Sequence, residues 1–103
     1  METRIQALHF NATEQLQAFI EKKCAKLEKM HELIKRVDVV LKVVKPETAM
    51  NKQASITAVI PNGDIFAEKI CDTFEQAVDE CVDAVAKQLQ KLKEQELRKH
   101  HRT

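Results

Sequence analysis

The chain has 103 residues, 44% hydrophobic and 32% charged, with 17 Lys and Arg against 16 Asp and Glu and a formal charge of +1. That length suits one compact domain and leaves no room for a deep substrate cleft, and the balanced charge means that any attraction to nucleic acid must come from local sorting of charge. One Gly and two Pro exclude a glycine-rich phosphate cradle, and no window reaches the roughly 18 apolar residues of a membrane span.

In chain order, residues 3–10 alternate as a strand and run into Asn11-Ala-Thr-Glu14, where Asn11 reads as a helix cap with Glu14 at the capping-box position. Leu16, Phe19, Ile20, Cys24, Leu27, Met30 and Ile34 keep the three-or-four-residue spacing of an amphipathic helix, placed over about 12–31. Val37–Val44 is β-branched and bounded by Pro46, and Ala54–Ile60 alternates, so both read as strands. Pro61-Asn-Gly-Asp64 holds the only Gly within an Asn-Gly pair, which predicts a tight hairpin with positive φ at its centre, returning through Ile65–Ile70. Phe74, Val78, Cys81, Val82, Val85, Leu89 and Leu92 stripe a helix over about 73–97, capped by Asp72 or Thr73. After Leu97 the chain is polar and basic and reads as a frayed tail over 98–103. The order β-α-β-β-β-α predicts a two-layer α+β sandwich, with a four-stranded sheet carrying both helices on one face.

Charge is sorted on both helices. On the first, Lys22, Lys26 and Lys29 fall within about 60° of one another, with Glu21 and Glu28 on the opposite flank. Lys23 projects into the apolar arc, where it either snorkels along the core edge or reaches a groove between the helices. Residues 72–83 of the second carry Asp72, Glu75, Asp79, Glu80 and Asp83 and no base. Lys87, Lys91, Lys93, Arg98, Lys99 and Arg102 then follow against Glu94 and Glu96. The helix dipole accounts for part of that polarity, but Lys87, Lys91 and Arg98 also share one flank just outside the core arc, a row that suits successive phosphates.

Catalytic and metal chemistry finds little support. Cys24, Cys71 and Cys81 make no C-x-x-C pair and read as reduced core residues. His9, His31, His100 and His101 lack a Cys or His at helical ligand spacing, so no metal site is expected. Ser55 is the only serine and lies mid-strand, and the carboxylates are mostly helical and exposed, so no enzyme, cofactor or small-molecule substrate is expected. With no Trp or Tyr and four Phe, stacking platforms for unpaired bases are scarce, which leaves recognition of RNA by backbone and shape. The competing reading is a protein module pairing through an open sheet face bearing Asp38, Val40, Lys42 and Val44.

Ala25-Lys-Leu-Glu-Lys29, Pro61-Asn-Gly63 and Lys87-Gln-Leu-Gln-Lys-Leu92, in this order of elements, resemble the ribosome hibernation promoting factors. That family is also called ribosome-associated inhibitor A or sigma modulation protein, and the match runs from the first strand to about residue 95. The resemblance implies two near-parallel helices on a four-stranded sheet, like a double-stranded-RNA-binding domain. It also implies a cytoplasmic translation inhibitor of the short class, docked on the small ribosomal subunit and its ribosomal RNA near the decoding centre. There it would block messenger and transfer RNA, and free of the ribosome it would be a monomer. Carried over by position, Lys23, Lys26, Lys29, Lys87 and Lys91 match the family's basic positions, to which the helical wheel adds Lys22 and Arg98. The family's aromatic residue near the start of helix two is here Phe74, without a hydroxyl.

Overall fold

A computed structural model describes residues 2–30, 32–45, 49–61 and 63–101, with side chains described as far as Glu94. Its elements are β1 (Glu2–Ala7), α1 (Glu14–Met30), β2 (Arg36–Val43), β3 (Lys52–Ile60), β4 (Gly63–Cys71) and α2 (Phe74–His101). The four strands lie side by side in the order β1-β2-β3-β4. β1 pairs with β2 in parallel, Ile5 opposite Val39, and the other two pairs are antiparallel. The fold is therefore the α+β sandwich that the alternation predicts.

Alternation fixes which sheet face is covered. Val37, Val39 and Leu41 from β2, Ala54, Ile56, Ala58 and Ile60 from β3, and Ile65, Ala67 and Cys71 from β4 are buried on one side. The helices meet them with Leu16, Ile20, Cys24 and Leu27 from α1, and Ala77, Val78, Cys81, Val82, Val85 and Leu89 from α2. All three cysteines are buried and free. The Cys81 thiol donates to the Ala54 carbonyl at 3.1 Å, which gives its polar hydrogen an acceptor inside the core. Phe10 and Phe74 stack at 5.0 Å between centroids and join the entries to the two helices.

Three local expectations are corrected, and the choice left open for the α2 cap is decided for Thr73. Thr13, not Asn11, caps α1: its Oγ1 accepts the Leu16 N–H at 3.1 Å, which leaves Glu14 as the first helical residue rather than a box partner. Thr73 caps α2 in the same way, accepting from Gln76 at 3.1 Å, while Asp72 instead accepts the Met50 N–H at 2.8 Å. The hairpin is present, but Ile60 pairs with Gly63, so the turn positions are 61 and 62 and Gly63 opens β4 at φ +136°. Pro61 explains the shift, because it has no N–H to close a two-residue loop centred on Asn-Gly, and its fixed negative φ suits the first turn position. Asn62 itself lies outside the described residues. Finally, α2 runs to His101 instead of stopping near 97. Leu97, Arg98 and Lys99 are good helix formers with no Gly or Pro to stop them, and bases suit a helix C-terminus.

Strand ends differ by smaller amounts. β1 stops at Ala7 because His9 takes a left-handed φ of 66°, turning the chain toward α1. β3 begins two residues earlier than the alternation indicates, since Lys52 finds ladder partners on both sides, Val43 and Cys71.

Candidate nucleic-acid interface

Strand directions orient the helices. β1, β2 and β4 point one way, α1 leaves β1 and α2 leaves β4, and each returns across the sheet, so the two helices run in the same direction. Their relative height is given by one contact, Lys23 Nζ to Asp79 Oδ1 at 3.0 Å. At about 1.5 Å of rise per residue, Lys29 is then level with Val85, Lys87 stands about half a turn further on, and Lys91 passes beyond the end of α1.

The α1 lysines divide sharply. Leu16, Ile20, Cys24 and Leu27 form the buried stripe, which puts Lys22, Lys26 and Lys29 on the exposed outer side. Lys23, between the two, is half-buried. Its ammonium lies 5.5 Å above the Phe19 ring and is ion-paired to Asp79, so of the two placements open in the sequence it takes the groove between the helices.

On α2 the buried stripe of Val78, Cys81, Val82, Val85 and Leu89 puts Lys87 on the side directly opposite the core, rather than beside the core arc. Lys91 turns from there toward the flank of Gln88, whose amide donates to the Phe66 carbonyl of β4 at 3.1 Å, and so away from α1. An open depression on this surface is lined by Lys87, Gln88, Gln90, Lys91 and Glu94. The flank facing α1 carries Asp79, with Asp83 exposed one turn later. The outer helical surface thus brings together Lys22, Lys26, Lys29 and Lys87, with Lys91 at its edge. The side chain of Arg98 lies outside the described residues. Asp79 is the residue that sequence reasoning missed, because it counted only as part of an acidic run.

Charge pairing differs between the two faces of the molecule. Among the described residues, no carboxylate lies within ion-pair distance of Lys22, Lys26, Lys29, Lys87 or Lys91. On the open sheet face Arg4 pairs with Glu2 at 3.1 Å and Arg36 with Asp38 at 3.0 Å, while Gln53 bonds Glu68 across β3 and β4. The hydrogen bond that Arg4 donates to Glu2 also raises the pKa of the guanidinium. Exposed apolar groups on that face are Phe66 and Ile70, 53% and 44% accessible. Val37, Val39 and Leu41 of β2 belong to the core instead.

The described residues contain no cluster of three or more His, Cys, Asp or Glu side chains able to hold a metal, and no helix long and apolar enough to cross a membrane. Burial pushes the thiols of Cys24 and Cys81 up to about 12. Cys71 goes to about 11, through burial first and then a hydrogen bond to Glu80. They are therefore protonated, unreactive thiols at neutral pH.

Comparison with known proteins extends over nearly the whole chain. A curated ribosome hibernation promoting factor from Escherichia coli (strain K12) is 33% identical over 100 residues, covering 97% of this chain and 100% of the relative. One from Pseudomonas putida is 28% identical over 96 residues, covering 93% and 90%. The fold matches a ribosomal subunit interface protein from Coxiella burnetii with a TM-score of 0.80 at 19% identity, over 90% of this chain and 98% of that one. It matches the N-terminal domain of Thermus thermophilus Protein Y with a TM-score of 0.74 at 21% identity, over 86% and 94%. Residues 3–97 match the family model described as Sigma 54 modulation protein / S30EA ribosomal protein, and the chain belongs to that family.

Proposed function

We propose that this chain is a ribosome hibernation factor: a non-catalytic, cofactor-free cytoplasmic protein that inhibits translation by occupying the small ribosomal subunit near its decoding centre, where messenger and transfer RNA would bind. Residues 1–97 act as one binding unit, and ribosomal RNA is contacted by Lys22, Lys26, Lys29, Lys87, Lys91 and Arg98. The observation that carries this reading is the set of lysines on the outer helical surface that have no carboxylate partner among the described residues, while both arginines of the sheet face are paired. Unpaired cations can neutralise phosphates without first giving up a protein partner, and each phosphate neutralised releases counterions. The names of the curated relatives support the same reading.

Sedimentation of purified ribosomal subunits with the protein on sucrose gradients is the direct test. The protein is expected in the small-subunit fraction at low salt and at the top of the gradient at high salt. Lys87→Glu with Lys91→Glu should abolish the association and relieve inhibition in a translation extract, whereas Glu21→Gln with Glu28→Gln should leave binding unchanged or slightly tighter. A folded lysine-reversal variant that still co-sediments and still inhibits would refute the proposed surface. Phe66 and Ile70 favour the other reading, a protein partner on the open sheet face. That reading requires a larger species in lysate that survives nuclease treatment, whereas an RNA-dependent association does not.

A further inference from the structure

Lys23 stands apart from the other lysines of α1. Its ammonium is 3.0 Å from Asp79 and 5.5 Å from the centre of the Phe19 ring, and its side chain is 37% accessible against 50% for Asp79. Lys22, Lys26 and Lys29 are exposed and make no such contacts. A phosphate that took Lys23 from Asp79 would leave the displaced carboxylate bare and facing the RNA backbone. That exchange loses one attractive pair for each one formed and adds a repulsion.

We infer that Lys23 is a positioning residue that holds α1 against α2, and that Asp79, by retaining it, withdraws one positive charge from the RNA-facing surface. The inference rests on the proposed binding of ribosomal RNA by the helices and deepens it: of the basic positions on α1, Lys22, Lys26 and Lys29 are phosphate contacts and Lys23 is not. Asp79 thereby limits the number of free cations on that surface.

Two measurements test this. The first uses the free protein and no RNA: pulse acylation with an amine-reactive reagent, read by mass spectrometry. Lys23 should react several-fold more slowly than Lys26, and Asp79→Asn should raise its reactivity toward that of Lys26. Equal reactivity of Lys23 and Lys26 in the unsubstituted protein would overturn the inference, whatever the protein binds.

The second measures affinity for purified small ribosomal subunits across a series of KCl concentrations. Lys26→Gln should lower the slope of log affinity against log salt by just under one, the loss of one phosphate contact. Lys23→Gln should leave the slope unchanged. Asp79→Asn should steepen it by a similar amount and tighten binding at low salt, a gain that a merely structural defect would not produce, and Lys23→Gln in that background should remove the gain. A drop in slope for Lys23→Gln equal to that for Lys26→Gln overturns the inference while leaving the RNA surface standing. A protein that fails to bind subunits at any salt overturns the proposed function, and the acylation result then still decides the role of Lys23.

Discussion

At Gly63 a side chain is disfavoured by conformation rather than by space. Its φ of +136° lies in a region that L residues rarely adopt, yet a Cβ there would meet nothing within 4 Å. Gly63→Val is therefore expected to destabilise by more than about 1 kcal/mol through strain alone, checked by urea titration, and Gly63→Ala should lose less but in the same direction. The buried thiols make a second prediction at this scale. Folding raises their pKa values from 9.0 to about 12 for Cys24 and Cys81 and about 11 for Cys71, so above pH 9 the unfolded chain gives up protons that the native state keeps. Their contribution to stability is fully present below pH 9 and falls as pH rises toward 12, by up to about 1.4 kcal/mol per unit for each thiol. Urea midpoints between pH 8 and 11 should show this decline, and Cys24→Ala with Cys81→Ala should flatten it while lowering stability at neutral pH.

At the scale of elements, the two helices begin alike, each with a threonine whose hydroxyl accepts from the third residue on. Thr13→Ala and Thr73→Ala should each cost about 1 kcal/mol, while Asn11→Ala, which removes the residue that the sequence favours as cap, should be close to neutral in the same thermal melts. Asn and Thr are both good caps, so local propensity does not choose between them. The choice falls to the chain path, since the left-handed turn at His9 and the stacking of Phe10 on Phe74 fix where α1 can start. The same logic governs the hairpin, where an Asn-Gly pair is outvoted by the missing N–H of Pro61. The helix stripes needed no such help, because every core residue named on α1 and α2 follows from the 3.6-residue period.

Across the whole molecule, β4 is an edge strand and so a potential pairing site for another chain. Gln88 occupies the Phe66 carbonyl, and Lys69, exposed on the helix-facing side of the strand, sets a charge where a partner strand would have to pack. With the cysteines buried as well, the free protein is expected to sediment as a monomer at low micromolar concentration, and reductant should not shift its melting temperature. A dimer in analytical ultracentrifugation, or a large melting shift on adding reductant, would contradict this. The elongated shape, 55 by 24 by 18 Å, comes from α2 running past α1, so the basic end of α2 projects beyond the shorter helix.

The sequence alone determined the order of elements, the two faces of β2 and β3 and the buried stripes of the helices, because hydrophobic periodicity is local and the core enforces it residue by residue. For Lys23 the sequence left two placements open, along the core edge or in the groove between the helices, and grouped it with the other basic positions. Tertiary structure alone decided where that ammonium goes. Lys23 and Asp79 are far apart in sequence, and they meet only because a parallel β1 and β2 and a returning β4 send both helices the same way across one sheet. Which basic residues are free and which are held is settled by that packing, for an ion pair depends on distances of a few ångströms that no helical wheel contains.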